Sequence, residues 1–465
     1  MSSLYRYSLM SLIVVALWAT GGQIVYASVS NWQNGFNVAP RSADDFSSGS
    51  FKQSMQNMRA DGVNAVAFVI PYYQSTIYST DVGPGWNTPS DVALASAIDY
   101  AHSIGLMVTL KPHVDPYDGS WRASINPGDR QGWFNNYGNI LVHVSQIAQA
   151  HHAEVIVLGT EMVSMAADNM NPTNTQNWIN LIGRVRGVYS GKLTYGANSS
   201  GTDPSDTFSD EKAHINFWSY LDYAGISAYY SSPTIWDNSV NTLVGQWNYW
   251  NNNDIAGFAR IAGKPILITE VGYRSISQAH QDPWNWWRNA PVDQTEQAND
   301  YQALMQYWNN YSYIVGTYWW DWSTDPNAGG AGDTSYTPQH KQAEQIIKNW
   351  MTNPTPPNGG NPPLPSGTMT TDVWWPTNGA VVSGTQPFKV MVENIDVSQY
   401  QTWWQVDGDR LNPMYNSAQD YPHKEAMVDL SGWYWRGSGP YVITFISKNA
   451  AGTMISQKSV TITVH

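Results

Sequence analysis

Two glutamates stand where a reaction could use them. Glu270 closes an apolar run in ILITEVGYRS, Ile266 to Ser275, and Glu161 closes VIVLGTE in the same way. A carboxylate at the end of a buried strand costs free energy unless it is paired or used. Two carboxylates facing each other about 5–5.5 Å apart can open an acetal such as a glycosidic bond. One gives and then takes back a proton, and the other attacks the carbon. Further candidates end other apolar runs: Asn37, Pro71-Tyr72-Tyr73, KPHVD at 111–115, Asn198, Tyr229-Tyr230 and YWWDW at 318–322. His113 and Asp115 form an H-x-D that could ligate a metal. No further clustered His or Asp stands at an obvious ligand spacing, so sugar binding or support of the glutamates is the better reading, and no metal or cofactor is expected. Glu154, at the start of its strand, reads as structural.

The elements that would position these residues recur regularly. Strand-like runs cover Asn34–Val38, Asn64–Ile70, Leu106–Leu110, Val155–Leu158, Lys192–Tyr195, Tyr223–Ala228, Ile266–Thr269 and Ile314–Trp319. Short apolar runs bounded by turn residues suit a parallel sheet buried on both faces. Helical patterns lie between them. Phe51, Met55 and Met58 share a face before Gly62, and a Ser90-Asp91 cap opens a helix that stops at Gly105. Gly132–Ala150, Trp178–Val188, a weaker segment near Asp210–Tyr220, Val244–Ala262, Gln294–Asn309 and Gln339–Trp350 follow. Eight such alternations over roughly 320 residues predict a (β/α)8 barrel, whose active site lies at the C-terminal strand ends. A doubly wound sheet is the alternative, but the glycine-rich phosphate turn after its first strand is missing.

Composition narrows the partners. The 465 residues carry a net charge of −13, which disfavours nucleic acid. The 24 Trp and 28 Tyr outnumber the 10 Phe, a bias toward aromatic rings with a polar handle that suits stacking on flat ligands. There is no cysteine, which excludes disulfides and thiolate chemistry. Arg6, the apolar run Leu9–Ala19 and the small-residue site Val25-Tyr26-Ala27 read as a secretory signal peptide over 1–27. Export to the extracellular space or periplasm is therefore expected, with no membrane association after cleavage. Oligomeric state is not legible, and a monomer is the default.

The motifs as a set resemble glycoside hydrolase family 113, known for endo-β-mannanases, in the clan of retaining (β/α)8 glycosidases with glutamates after strands 4 and 7. The resemblance covers about residues 31–350. It rests on KPHVD at 111–115 with Trp121-Arg122, GTE at 159–161, TEVGYRS at 269–275 and YWWDW at 318–322. It implies that Glu161 is the acid/base and Glu270 the nucleophile. It implies a β-linked polysaccharide or oligosaccharide substrate, β-1,4-mannan first, with xylan, β-glucan or a bacterial exopolysaccharide as alternatives. Asn37, His113, Asp115, Trp121, Arg122 and Asn198 become candidate sugar contacts. Thr160 stands where most of the clan has an Asn that binds the sugar 2-hydroxyl. Tyr229, with Tyr230 as its neighbour, would hold the nucleophile. Trp320 or Trp319 would floor the sugar site, the other packing in the wall. Trp32, Trp86, Trp121, Trp284 and Trp286 are candidate rim platforms. A chitinase D-x-x-D-x-D-x-E strand and an esterase G-x-S-x-G are both absent. A purely binding protein is the remaining class, and binding alone does not demand two facing carboxylates.

These readings divide the chain into a catalytic domain over 28–352, a linker over 353–367 and an accessory domain over 368–465. The linker NPTPPNGGNPPLPSG holds six prolines in fifteen residues. Beyond it FKVMV, TWWQV, YVITFI and VTITV alternate between turn signals such as Asp407-Gly408, which predicts an antiparallel, Ig-like β-sandwich. Its tryptophans, Trp374, Trp375, Trp403, Trp404, Trp433 and Trp435, could line a glycan face or fill a small core, and a spacer role is slightly favoured.

Overall fold

The structure is a computed structural model that describes residues 32–199, 206–233, 235–309, 311, 313–352, 369–393, 395, 397, 400–417, 423–449 and 452–465. The expected signal peptide over 1–27 and the expected linker over 353–367 lie outside the described residues.

The first unit is a closed barrel. Its eight parallel strands are β1 Gln33–Val38, β2 Ala65–Gln74, β3 Met107–Pro116, β4 Val155–Thr160, β5 Lys192–Ser199, β6 Ala224–Ala228, β7 Ile266–Val271 and β8 Ile314–Trp319. They pair in chain order, and β1 closes the ring by pairing with both β2 and β8. The lower interior is apolar, with Ala65, Ala67, Val155, Leu267 and Tyr318 in contact. Gly35 is needed there, because a Cβ would sit 2.5 Å from the Tyr318 ring. A larger apolar layer joins the outer faces of the strands to the helices, with Trp133, Trp178, Trp308 and Trp322 fully buried.

The helices follow the sequence pattern closely where a cap is written into it. Ser48, Ser90, Asp129, Ser239 and Asp293 each accept a backbone N–H of the helix they open. The fifth helix does not form. That segment folds as two 3-10 turns, Glu211–His214 and Trp218–Tyr220, because its polar start is pulled inward by Glu211 rather than presenting one apolar stripe. Strands β2 and β3 run further than expected, through the prolines of PYY and KPH, and stay paired from Ala65↔Met107 to Gln74↔Pro116. Pairing with β1 and β4 ends at Phe68 and Leu110, and the short strand Gly83–Pro84 pairs with β2 only at Tyr72 and Tyr73, so Pro71 and Pro112 stand at breaks in the pairing where a missing N–H costs little. Among the described residues no helix is long and apolar enough to cross a membrane.

The second unit is a β-sandwich. One sheet orders Thr371–Trp375, Thr385–Val392, Lys424–Asp429 and Tyr415–Asn416. The other orders Ala380–Val382, Met454–Val464, Tyr441–Asn449, Tyr400–Val406 and Asn412–Pro413. Pairing is antiparallel except that Ala380–Val382 runs parallel to Met454–Val464. Phe388, Val390, Met414, Leu430, Ile443 and Phe445 form its core. Asp407 and Gly408 both take positive φ, as a tight hairpin turn requires.

Candidate active site

Both strands that carry a candidate glutamate are irregular just there. Between Val157↔Thr194 and Thr160↔Gly196, β4 holds one more residue than β5. Between Ile226↔Ile268 and Ser227↔Glu270, β7 holds one more than β6, and it shows the same excess against β8. A bulge re-aims the following side chain. Glu161 adopts φ 54°, the left-handed region that non-glycine residues seldom use, at a cost of order 1–3 kcal/mol. Its N–H is held by Gly196 O at 2.8 Å, and the next N–H, of Met162, by the Tyr195 hydroxyl at 2.8 Å. The bulge in β7 leaves the Thr269 carbonyl outside the ladder. Asn37 Nδ2 and Lys111 Nζ, each 3.0 Å away, donate to it. Gly272 follows because a Cβ there would meet Trp320 O at 2.3 Å.

Glu270 is therefore presented with both oxygens held. Lys111 Nζ lies 2.6 Å from Oε1, and the Tyr229 hydroxyl donates to Oε2 at 3.1 Å. Both Lys111 and Glu270 are buried. Burial lowers the Lys111 pKa, and Glu270 opposes that by pairing with it. Burial also lifts the Tyr229 phenol well above its usual range, and the Glu270 charge adds to this, so it stays a donor. His113 Nε2 stands 3.6 Å from the same Oε1, too far for a hydrogen bond, with its ring parallel to Trp320 at 5.9 Å. Burial, then Arg122 and Lys111, push His113 well below the usual imidazole range, so it is neutral.

Glu161 meets a different environment. Trp121 Nε1 reaches Oε2 at 3.4 Å, and Arg122 Nη1 lies 3.9 Å from it. Arg122 is anchored by Asp115, whose Oδ1 accepts from Nε at 2.9 Å and Nη2 at 2.7 Å. Burial raises the Glu161 carboxyl, the Glu270 charge raises it further, and Arg122, Trp121 and Lys111 pull the other way. Glu161 thus feels both its own burial and the neighbouring Glu270 charge, each favouring its protonated form. One is a buried acid with a raised pKa, and the other is a carboxylate clasped by an ammonium.

The structure brings Glu161, Glu270, His113, Asp115, Trp121, Arg122, Tyr229 and Trp320 together. It does not bring all the expected sugar contacts with them. Asn37 is fully buried under the site, donating to the Thr269 carbonyl and accepting from Lys111. Thr160 is fully buried, and its hydroxyl has no hydrogen-bond partner among the described residues. Asn198 donates to Phe208 O, and its N–H goes to Glu211 at 2.7 Å, so it ties down the loop after β5. Trp319 stacks on Tyr301 at 3.8 Å in the wall, leaving the floor to Trp320. Tyr230 bonds Asp254 rather than Glu270. Arg274 is spent on Thr334 O and Arg288 O. Glu154, at the opposite end of the barrel, accepts the Val108 N–H at 2.8 Å.

Lys111, inside the candidate stretch KPHVD, is not singled out as a site residue by the sequence. Its signal was the same as for Glu270, a charge inside an apolar run, and the two answer each other. Asp321, inside YWWDW, is not singled out either. Burial pushes it up to about 6 beside the floor tryptophan, against the opposing charge of Lys341. Of the rim tryptophans, Trp86, Trp121, Trp284 and Trp286 are exposed, joined by Trp287 and Trp236, while Trp32 packs against the core at the start of β1. His280, Glu296 and Asp300 form a buried trio whose spacing in the chain did not reveal it. Glu296 there already accepts from Asn238 at 2.6 Å and pairs with His280 at 2.5 Å, which links two rim loops to a helix.

The model of Glycoside Hydrolase Family 113 matches residues 36–341. A solved structure described as a complex of a GH113 β-1,4-mannanase is 27% identical with TM-score 0.59, and the alignment covers 70% of this chain and 99% of that one. A second GH113 β-1,4-mannanase structure gives 27% and 0.60 over the same shares. The GH113 β-mannanase AaManA from Alicyclobacillus acidocaldarius, in complex with ManMIm, is 24% identical with TM-score 0.60, again over 70% of this chain and 99% of that one, a likeness of fold. No curated protein matches the chain.

Proposed function

The chain belongs to glycoside hydrolase family 113, and we propose that it is an exported enzyme that cleaves β-1,4-mannan by a two-step displacement with retention of configuration. The observation that carries this reading is the contrast between the two glutamates. Glu270 is clasped by Lys111 and Tyr229, while Glu161 is a buried carboxyl with a raised pKa.

In the first step a Glu270 oxygen forms a bond to the anomeric carbon while the bond from that carbon to the leaving oxygen breaks. Glu161 gives its proton to the leaving oxygen. In the second step Glu161 takes a proton from water, the water oxygen attacks the same carbon, and Glu270 is released as a carboxylate. Trp320 supplies the floor under the ring undergoing change. Lys111 and Tyr229 keep the attacking carboxylate in one orientation, which is how a positioned reactant gains rate. Mannan as the polymer is supported by the family and by the two GH113 β-1,4-mannanase neighbours. Export is supported by the Leu9–Ala19 run and the Val25-Tyr26-Ala27 site.

The test is a panel of mannan, glucomannan, xylan, cellulose and β-1,3-glucan, with products sized by chromatography. Release of oligosaccharides from mannan and glucomannan, above the other three, is expected. Activity confined to xylan or to β-1,3-glucan would overturn the substrate, and no activity on any polymer would overturn the enzyme.

A further inference from the structure

The accessory sandwich sorts its tryptophans in a way the sequence could not. Trp375, Trp404 and Trp433 pack against the core. Trp374 is half exposed, and it lies on the outward face of the four-stranded sheet. Phe388 and Val390 point into the core, so Lys389 between them points out. The Trp374 ring lies 4.9 Å from Lys389 Nζ, on that same face. Lys389 is level with Glu425 on the next strand, and Glu425 is level with Tyr415 on the one after. Lys389 and Glu425 approach to 3.8 Å.

Lys389, Glu425 and Tyr415 thus stand in register across the sheet, and Trp374, at the bulge where Trp375 takes the place opposite Lys389, extends the row through its ring contact with Lys389. The two rings end it, both open to solvent, with Tyr415 68% exposed. Three strand spacings separate them, about 14 Å. Between them the charges cancel, and Ser417 Oγ donates to Glu425 at 2.6 Å. A row with aromatic ends and a neutral, hydrogen-bonding middle does not suit a polyanion or a lipid surface. It suits an extended neutral chain whose flat rings have apolar faces and hydroxyl edges. Stacking holds the faces, and the part-exposed Glu425 meets the hydroxyls, while Lys389, itself buried, holds Glu425 and the Trp374 ring in place.

We propose that this row is a polysaccharide-binding site of the accessory domain, separate from the candidate active site, with Trp374 and Tyr415 as its two stacking platforms. The choice of polysaccharide as ligand rests on the hydrolase reading above. The site itself rests on the row.

The experiment uses the full chain carrying Glu270→Gln, so that polymer is not consumed, and measures its depletion from solution by insoluble mannan, cellulose, xylan and chitin. The parent should bind at least one of them. Trp374→Ala and Tyr415→Ala should each weaken that binding about fivefold, the scale of one lost aromatic contact. Trp374→Phe, which keeps a ring, should retain most of it. In parallel, Trp374→Ala in the otherwise unaltered enzyme should hydrolyse soluble oligosaccharides within about twofold of the parent, since the sandwich has a core of its own, separate from that of the barrel. Near-UV circular dichroism checks that the sandwich core is intact. Equal binding by the parent and both alanine variants, or no binding by the parent to any of the four, would overturn the proposal. Loss of hydrolysis in every form, with binding still dependent on Trp374, would overturn the activity and leave this site standing.

Discussion

Lys111 and Glu270 are both out of solvent and 2.6 Å apart, on strands that face each other across the barrel interior. Such a pair is weak evidence of stability but costly to break from one side, roughly 3–5 kcal/mol, because the remaining charge is left buried. Lys111→Met should therefore lower denaturant stability by that order and abolish activity. Lys111→Met with Glu270→Gln should recover much of the stability and none of the activity. If the single change is nearly neutral, or the double is no better, the pair is not the clasp described above. Glu161 makes the complementary case. An acid that must deliver a proton fails as pH rises through its pKa, so a raised pKa extends activity upward. Trp121 and Arg122 both favour its charged form, and Arg122 is the larger influence. Trp121→Phe should move the alkaline limb of kcat/KM to higher pH, and Arg122→Met further. A limb that moves down would contradict the assignment of Glu161 as acid.

Glu211, in the 3-10 turn after β5, shows how elements support the site. Its Oε1 accepts from the Tyr195 hydroxyl at 2.6 Å, and that hydroxyl accepts the N–H of Met162, next to Glu161. Burial lifts Glu211 to about 8, against the pull of its two donors. The folded chain then holds a proton that the unfolded chain releases above about 4.3. With more protons bound in the native state, stability falls as pH rises across that window, from about 4.3 to about 8. Glu211→Gln has no such proton, so its melting temperature should fall less between pH 5 and pH 8 than the parent's. Parallel curves would show that Glu211 is ionised throughout. The same scale explains what the chain made legible. Strand ends could be read, because apolar runs and turn residues mark them, and Glu161, Glu270, Tyr229 and Trp320 came with them. The bulges in β4 and β7 could not be read, because an extra residue in a ladder leaves no mark in composition. The β7 bulge is why Asn37 is engaged with the Thr269 carbonyl under the site rather than in it. The missing fifth helix has a similar cause, since its key contact is Glu211 with Tyr195, formed only on folding.

At the scale of the molecule, the two units have separate cores, one around the barrel and one within the sandwich. The chain between them is proline-rich. Truncation before Asn353 should therefore leave a folded enzyme with near-parental activity on soluble oligosaccharides. On insoluble polymer it should lose activity to about the extent that the row across the sandwich contributes binding. Equal loss on soluble and insoluble substrates would show that the barrel depends on the second unit. The alternation of strands and helices was legible here because it repeats. The face that the sandwich turns outward was not, because it depends on cross-strand register.

The assignment of Glu161 and Glu270 is tested most directly by the anomer formed with azide from an activated aryl β-mannoside. In Glu161→Ala the glycosyl-enzyme can still form, because the leaving group needs no acid, and azide needs no base to attack it. The product should be the β-mannosyl azide, of retained configuration, with turnover restored by azide. In Glu270→Ala azide can enter only from the open face, which gives the α-mannosyl azide. The reverse pattern would exchange the two roles, and an inverted sugar from the unaltered enzyme would remove the covalent mechanism.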